Sequence, residues 1–287
     1  MIDEFETHRP LLFGIAYRML GSVMEAEDMV QETFLRYQAT PPETIRSPKN
    51  FLCTIVTRLC LNELSTARSR RETYVGPWLP EPMLTDTASR STGPSESVSQ
   101  HESISMAFMV LLENLSPLER AVFLLREVFD YDYAEIAPVV DRNVDACRQI
   151  FSRARKHIDT HRPRFDTTPA AHRELLGRFI EAVEDGELDG IMNFLTDDVT
   201  LWTDGGGKAY GAATRPVTGR EHAALFILGS MRFLPDNHAL RVREINGQPG
   251  IVVVADGQVL GVLSVDFVED HLNSIRFIGN PEKLRHL

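Results

Sequence analysis

Cysteine is scarce in this chain, and what there is forms no ligand pattern. Cys53, Cys60 and Cys147 are the only three in 287 residues. Their spacing excludes a disulfide framework and the usual zinc modules. Cys53 and Cys60, seven apart in a helical pattern, are predicted to share one buried helix face. No apolar run approaches the roughly 18–20 residues of a membrane span. The first ten residues, MIDEFETHRP, lack the basic-then-apolar order of a signal peptide. Internal repeats are missing too, and no GxxxxGK[ST] phosphate loop occurs. The expectation is a reduced, cytoplasmic protein without disulfides, metal or membrane contact. Positive charge is also in deficit, at a net charge of −11. A chain this acidic should bind free DNA poorly.

Distribution matters more than the sum. Residues 1–165 carry 19 Lys/Arg against 23 Asp/Glu, and residues 166–287 carry 11 against 18. Within the first part the basic residues concentrate in two places. Arg58, Arg68, Arg70 and Arg71 stand against Glu63, and seven basic residues between Arg142 and Arg164 stand against Asp145 and Asp159. Such patches can meet DNA once a partner positions them.

Periodicity divides the chain into four parts. Residues 1–72 read as helices: LLFGIAYRML, a break at Gly21-Ser22, then SVMEAEDMVQETFLRYQ, then FLCTIVTRLCLNELSTARSRRE opened by Ser47-Pro48. Residues 73–103 are a linker rich in Pro, Ser, Thr and Gly. Residues 104–165 are helical again. Ser116-Pro117 with Glu119 predicts a capped start. YDYAEIAPVV, the break DRN and VDACRQIFSRARKHI then read as a helix-turn-helix, with Asn143 expected to supply any left-handed backbone in the turn. Residues 166–287 begin with the amphipathic RELLGRFIEAVEDGELDGIMNFL. The strand-like runs VTLWT, HALRVREI, GIVVVAD, VLGVLSVDFVED and LNSIRFIG follow, an α+β pattern with a concave antiparallel meander.

Three surfaces stand out in the helical parts. Asp28, Gln31, Glu32 and Leu35 fall at i, i+3, i+4 and i+7 and form a mostly acidic stripe; by itself such a stripe usually means a solvated face. Arg58, Asn62, Ser65, Arg68, Arg70 and Arg71 give the third helix a basic end able to bond phosphates and base edges. Asn143, Asp145, Ala146, Arg148 and Gln149 occupy the first turns of the second helix of the helix-turn-helix, where side chains enter a major groove. Arg153, Arg155 and Lys156 would follow along the phosphates, with Ile150 and Phe151 inward.

In this order and spacing the three surfaces resemble the extracytoplasmic-function sigma factors of bacterial RNA polymerase. The resemblance covers about residues 5–162, and rests on AEDMVQETFLR, the FLCTIVTRLCLNELSTARSRRE helix and LSPLERAVFLLREVFDYDYAEIA…CRQIFSRARKHI. It implies a region 2 domain at 1–72 that docks on core RNA polymerase through the acidic stripe and opens the −10 element. It implies a region 4 domain at 104–165 that reads the −35 element. The partners it implies are core polymerase and promoter double-stranded DNA with a melted −10 strand. It implies no cofactor and no enzymatic step. The chain departs from the commoner turn sequence at Asp141-Arg142-Asn143-Val144, which bears on promoter preference.

The 166–287 part resembles a SnoaL-like domain, a cone-shaped α+β fold with a curved antiparallel sheet. Three short stretches sharpen this into a resemblance to one sigma subfamily with such a fused domain: WLPEP (Trp78, Leu79, Pro80, Glu81, Pro82), DGGGK (Asp204, Gly205, Gly206, Gly207, Lys208) and NPEKL (Asn280, Pro281, Glu282, Lys283, Leu284). The subfamily pattern has aspartate at position 282. It implies regulation in cis, without an obligate separate anti-sigma protein. A tryptophan between prolines in a linker is a large apolar area that something should cover, and the prolines lower the entropy lost on docking. WLPEP is therefore expected to dock near DGGGK and NPEKL. The glycines would allow close backbone approach or form an anion nest, and Lys208 would pair with Glu81 or another carboxylate.

A second reading is a helix-turn-helix regulator whose C-terminal domain binds or transforms a small molecule. Its candidates are Trp202, Asp204, His222, His238 and Arg243, no two at motif-grade spacing. A small ligand of unknown identity in that domain is a further candidate partner.

Overall fold

Local signals place the helix ends. A computed structural model describes residues 2–85, 104–161 and 168–287; the side chains of 67–72 and 161 lie outside the described residues. Helix α1 spans Ile2–Leu20, and α2 spans Val23–Gln38. The Ser22 hydroxyl caps α2 by accepting from the Glu25 N–H at 3.1 Å. Helix α3, Pro48–Glu72, starts on proline, whose missing N–H is an orphan at that position anyway. After it come α4 (Met106–Glu113) and α5 (Pro117–Phe123), the latter opened by a capping box between Ser116 and Glu119. A π-helical turn, Leu124–Val128, leads to α6 (Tyr133–Val139) and α7 (Val144–His161). All three cysteines are buried and free, and Cys53 and Cys60 share the inner face of α3.

The turn between α6 and α7 corrects one expectation. The left-handed residue is Asp141, at φ 53°. Asn143 instead caps α7, its side-chain oxygen accepting from the Ala146 N–H at 2.8 Å. Both short polar side chains suit the turn, but only a residue just outside α7 can reach its free N–H groups.

The chain forms two compact units, Met1–Thr73 with Phe108–Arg162, and Tyr74–Ala107 with Pro163–Leu287. In the first, α1–α3 pack on α5–α7. The buried Arg120 donates from Nη1 to the Met19 carbonyl at 2.6 Å and pairs with Glu113 at 2.8 Å. Arg58 on α3 donates to the carbonyls of Pro138 (2.6 Å) and Val139 (3.1 Å) on α6.

The second unit starts its folded domain with α8 (Pro169–Asp185), capped by Thr168 and ended by Gly186 at φ 73°. It continues through α9 (Leu188–Met192), β1 (Leu195–Asp204), β2 (Val217–Thr218), α10 (Arg220–Met231), β3 (Ala239–Ile245), β4 (Gln248–Ala255), β5 (Gln258–Val268) and β6 (His271–Ile278). The six strands form one sheet in the order β2-β1-β6-β5-β4-β3. β3 to β6 are the antiparallel meander read from sequence. β1, however, pairs with β6 in parallel, with Leu201 opposite Ile275, so the sheet is mixed. Periodicity shows that a strand exists, not which neighbour it finds across 70 residues. β2 and α10 carry no sequence expectation. Register shifts in the β1–β6, β4–β5 and β5–β6 pairs bend the sheet around a core formed by Leu176, Phe179, Leu195, Val199, Ile227 and Ile275.

Candidate nucleic-acid interface and docking site

On α2, Asp28, Gln31 and Leu35 are exposed and Glu32 is half-buried and bonded to Arg36 at 2.7 Å; Leu35 is 56% exposed. The opposite side, with Ala26, Val30 and Tyr37, is buried.

The basic end of α3 is only partly open. Asn62 and Ser65 are exposed, while the side chains of Arg68, Arg70 and Arg71 lie outside the described residues. Arg58 reaches the solvent-exposed edge, but its guanidinium is held by the two α6 carbonyls.

On α7, Asn143, Asp145, Arg148, Gln149, Arg153, Arg155 and Lys156 are exposed, Ala146 is half-buried, and Ile150 and Phe151 are buried. Arg148 pairs with Asp145 at 2.8 Å and lies over Tyr133, its guanidinium carbon 5.7 Å from the ring centre. Arg155 lies 3.6 Å from Asp159. These are exposed pairs, worth little in water and readily exchanged for phosphate or base partners.

The second unit brings WLPEP, DGGGK and NPEKL together around one carboxylate. Asp204, at the end of β1, is fully buried. Its Oδ2 accepts from the Leu79 N–H and from Lys283 Nζ, both at 2.7 Å, and its Oδ1 accepts from the Tyr74 hydroxyl. Its carbonyl accepts from the Gly279 and Asn280 N–H groups at 2.9 Å. Lys283 also donates to the Leu79 carbonyl and lies 4.0 Å from the Trp78 ring centre and 5.1 Å from that of Tyr74. Trp78 thus lies over a buried cation, a favourable contact once desolvated. Leu79, Pro80, Glu81 and Pro82 are buried. Burial and the Asp204 carboxylate push the Tyr74 hydroxyl pKa well up, so it stays a donor.

The glycines serve close approach. A Cβ on Gly206 would stand 2.3 Å from Asn280 Nδ2 and 2.9 Å from the Tyr74 hydroxyl, and one on Gly207 would stand 3.3 Å from Val75. The anion here is Asp204 itself, and its donors come from the linker and the tail. Lys208 pairs with Glu282 at 2.5 Å, which together with Arg285 holds that carboxyl below its usual range. The linker then runs along the end of β3: Leu84 bridges Ile245, the Thr85 N–H donates to the Glu244 carbonyl at 3.0 Å, and Asn246 exchanges bonds with Met83 at 2.8 and 2.9 Å. His286 donates from Nε2 to the Pro82 carbonyl at 2.8 Å.

Sequence reasoning missed Tyr74, Asn246, Thr85 and His286. Only Asn246 left a trace, in the Asn-Gly turn where it takes φ 52°.

The five residues considered for catalysis do not converge. Asp204 is taken up by the dock. Trp202 is engaged by Arg276, whose guanidinium carbon is 5.6 Å from its ring centre. His222 and Arg243 are exposed, and His238 is half-buried and bonded to the Pro235 carbonyl at 2.8 Å. The domain cavity, of about 490 Å³, is lined by none of the five.

His172 on α8 is a different case. It is buried edge-on against Phe267 at 4.7 Å, and burial lowers its pKa from 6.5 to about 4. As pH falls, the unfolded chain takes up this proton first. Stability of the second unit is therefore expected to be intact above about pH 6.5 and to decline toward pH 4, by about 3 kcal/mol in all. Thermal melts of the wild type and His172→Phe at pH 7 and pH 4.5 check this; equal pH dependence in both proteins would refute it.

The sequence matches the families Sigma-70 region 2 over residues 5–70 and Sigma-70 region 4 over residues 105–158. It is 36% identical to the ECF RNA polymerase sigma factor SigJ of Mycobacterium tuberculosis, across 99% of this chain and 95% of that one. It is 29% identical to the probable ECF RNA polymerase sigma factor SigI of the same species, across 98% and 93%. The crystal structure of M. tuberculosis SigJ superposes with a TM-score of 0.75 at 34% identity, covering 99% of this chain and 98% of that one. Among the described residues no helix is long and apolar enough to cross a membrane.

Proposed function

Since the chain belongs to the extracytoplasmic-function sigma factors, which direct RNA polymerase to promoters, we propose that its own C-terminal domain regulates it by holding the linker between the two DNA-binding regions. The observation that carries this reading is the buried Asp204–Lys283 pair closed around the backbone of Leu79. A linker needed only for reach would not bury Leu79, Pro80, Glu81 and Pro82 against the C-terminal domain. Docking about 300–400 Å² of apolar surface gives several kcal/mol gross at about 25 cal/mol per Å². Ordering the linker offsets most of it. The net, about 1–3 kcal/mol, is the size of a regulatory coupling.

In this reading the α2 stripe of Asp28, Gln31, Glu32 and Leu35 meets core polymerase. Asn62, Ser65 and the Arg58, Arg68, Arg70 and Arg71 group take the −10 strand, and the exposed face of α7 takes the −35 element. The boundaries are region 2 at 1–72, linker at 73–103, region 4 at 104–165 and the SnoaL-like domain at 166–287. In this reading the protein works in the cytoplasm without an obligate separate anti-sigma protein, its C-terminal domain supplying the regulation in cis.

The test is transcription in vitro with core polymerase on a selected promoter. It compares the full chain, truncations after Arg164 and after Gly279, and Trp78→Ala. Trp78→Ala is expected to change initiation several-fold while leaving both units folded. Output equal to wild type over a range of polymerase concentrations would remove the basis for regulation by docking.

A further inference from the structure

The cavity of the C-terminal unit and the linker dock share a wall. The cavity is roofed by α8 and α10 and floored by the sheet, with Phe179, Phe226, Ile251, Val253, Leu263 and Phe277 among its lining. Its volume of about 490 Å³ falls in the range of small-molecule sites, which are mostly apolar with a few polar groups at one end. Those groups here are Thr203, Ser230, Gln258, Tyr210 and Lys208. At the mouth stand two exposed aromatics, Tyr210 (93% exposed) and Phe233 (49%).

Gly279, Pro281 and Leu284 also line the cavity. Asn280 and Lys283, interleaved with them, hold Tyr74 and Leu79 on the other side. A single tail segment therefore faces the cavity with some residues and the linker with the others.

We propose that this cavity binds a neutral, largely apolar small molecule, and that its occupancy favours the docked linker. Charge selects the class. No carboxylate lines the cavity to meet a cation, and its one charged residue, Lys208, is already paired with Glu282. An anionic ligand would compete with that carboxylate. The hydroxyls of Thr203 and Ser230 already donate to backbone carbonyls at 3.0 and 2.7 Å, which leaves mainly Gln258 and Tyr210 as neutral polar groups to meet a ligand. The sign of the coupling follows from the shared wall. Pro281 and Leu284 line the cavity in the arrangement where Asn280 and Lys283 hold the linker, so a ligand touching them favours that arrangement. Linkage makes the effect reciprocal. The ligand site stands on the cavity alone; the coupling rests on the docking reading above.

The experiment is titration of the full chain with the neutral fluorophore N-phenyl-1-naphthylamine. Saturable binding is expected in the micromolar range, lost in the cavity-filling variants Val253→Trp and Ser230→Phe, which approach from opposite walls. Fluorophore affinity is expected to fall at least about 5-fold in Lys283→Met and in Trp78→Ala, the latter lying outside the cavity. No saturation by roughly 50 µM, or equal binding by folded filled variants, overturns the site. Binding that is blocked by filling but unchanged in both dock variants overturns the coupling and leaves the site. If transcription is insensitive to Trp78→Ala while the fluorophore still binds, it is the regulatory reading that falls.

Discussion

Lys283→Met is expected to be the most disruptive single change in the second unit. It leaves Asp204 fully buried with its charge uncompensated, and removal of one partner from a buried pair costs about 3–5 kcal/mol. For a unit of this size that is a fall of roughly 10 °C in the thermal midpoint. The Leu79 carbonyl loses its donor as well, so segment 74–85 should become cleavable by protease before the sheet melts. Asp204→Asn is expected to act in the same direction, because it leaves the ammonium of Lys283 without its counter-charge. The double variant Asp204→Asn/Lys283→Met removes both charges and should recover part of the loss, so the two single effects will not add. A midpoint within about 2 °C of wild type for Lys283→Met, with the linker still protected, would show that the pair does not hold the dock.

The second large effect is expected on α7. Arg148→Ala and Gln149→Ala should each weaken promoter binding by holoenzyme by about 1–3 kcal/mol, roughly 5- to 150-fold, and relax preference at one −35 base pair. Arg153→Ala, Arg155→Ala and Lys156→Ala should instead weaken binding to all sequences alike and reduce the salt slope by about 1 each. The contrast comes from position. Arg148 and Gln149 lie in the N-terminal turns of α7, where a helix can reach base edges, and the other three lie a turn or more further on. Competition binding by holoenzyme on promoters with single −35 changes separates the two classes. An Arg148→Ala loss that is the same on a scrambled −35 element would place Arg148 on the phosphates instead.

What the sequence determined by itself was local. Ser22, Pro48 and the Ser116–Glu119 box fix where helices begin, because each satisfies N–H groups that no other part of the helix can. The spacing of Cys53 and Cys60 fixes which face of α3 turns inward, and that of Asp28, Gln31, Glu32 and Leu35 which face of α2 stays out. The basic turns of α7 and the apolar, proline-stiffened WLPEP were equally legible, since charge and uncovered apolar area are properties of residues rather than of folds. Tertiary structure decided everything that joins distant segments. β1 pairs in parallel with β6, a choice of neighbour that no alternation pattern encodes. The left-handed residue of the DNA-binding turn is Asp141, because Asn143 is held at the cap of α7. Lys208 takes Glu282, while Lys283 takes Asp204. Four segments far apart in the chain, holding Tyr74, Leu79, Asp204 and Lys283, meet only once the sheet has formed. A charge acquires the meaning of a latch only where burial removes the water that would otherwise compete for it.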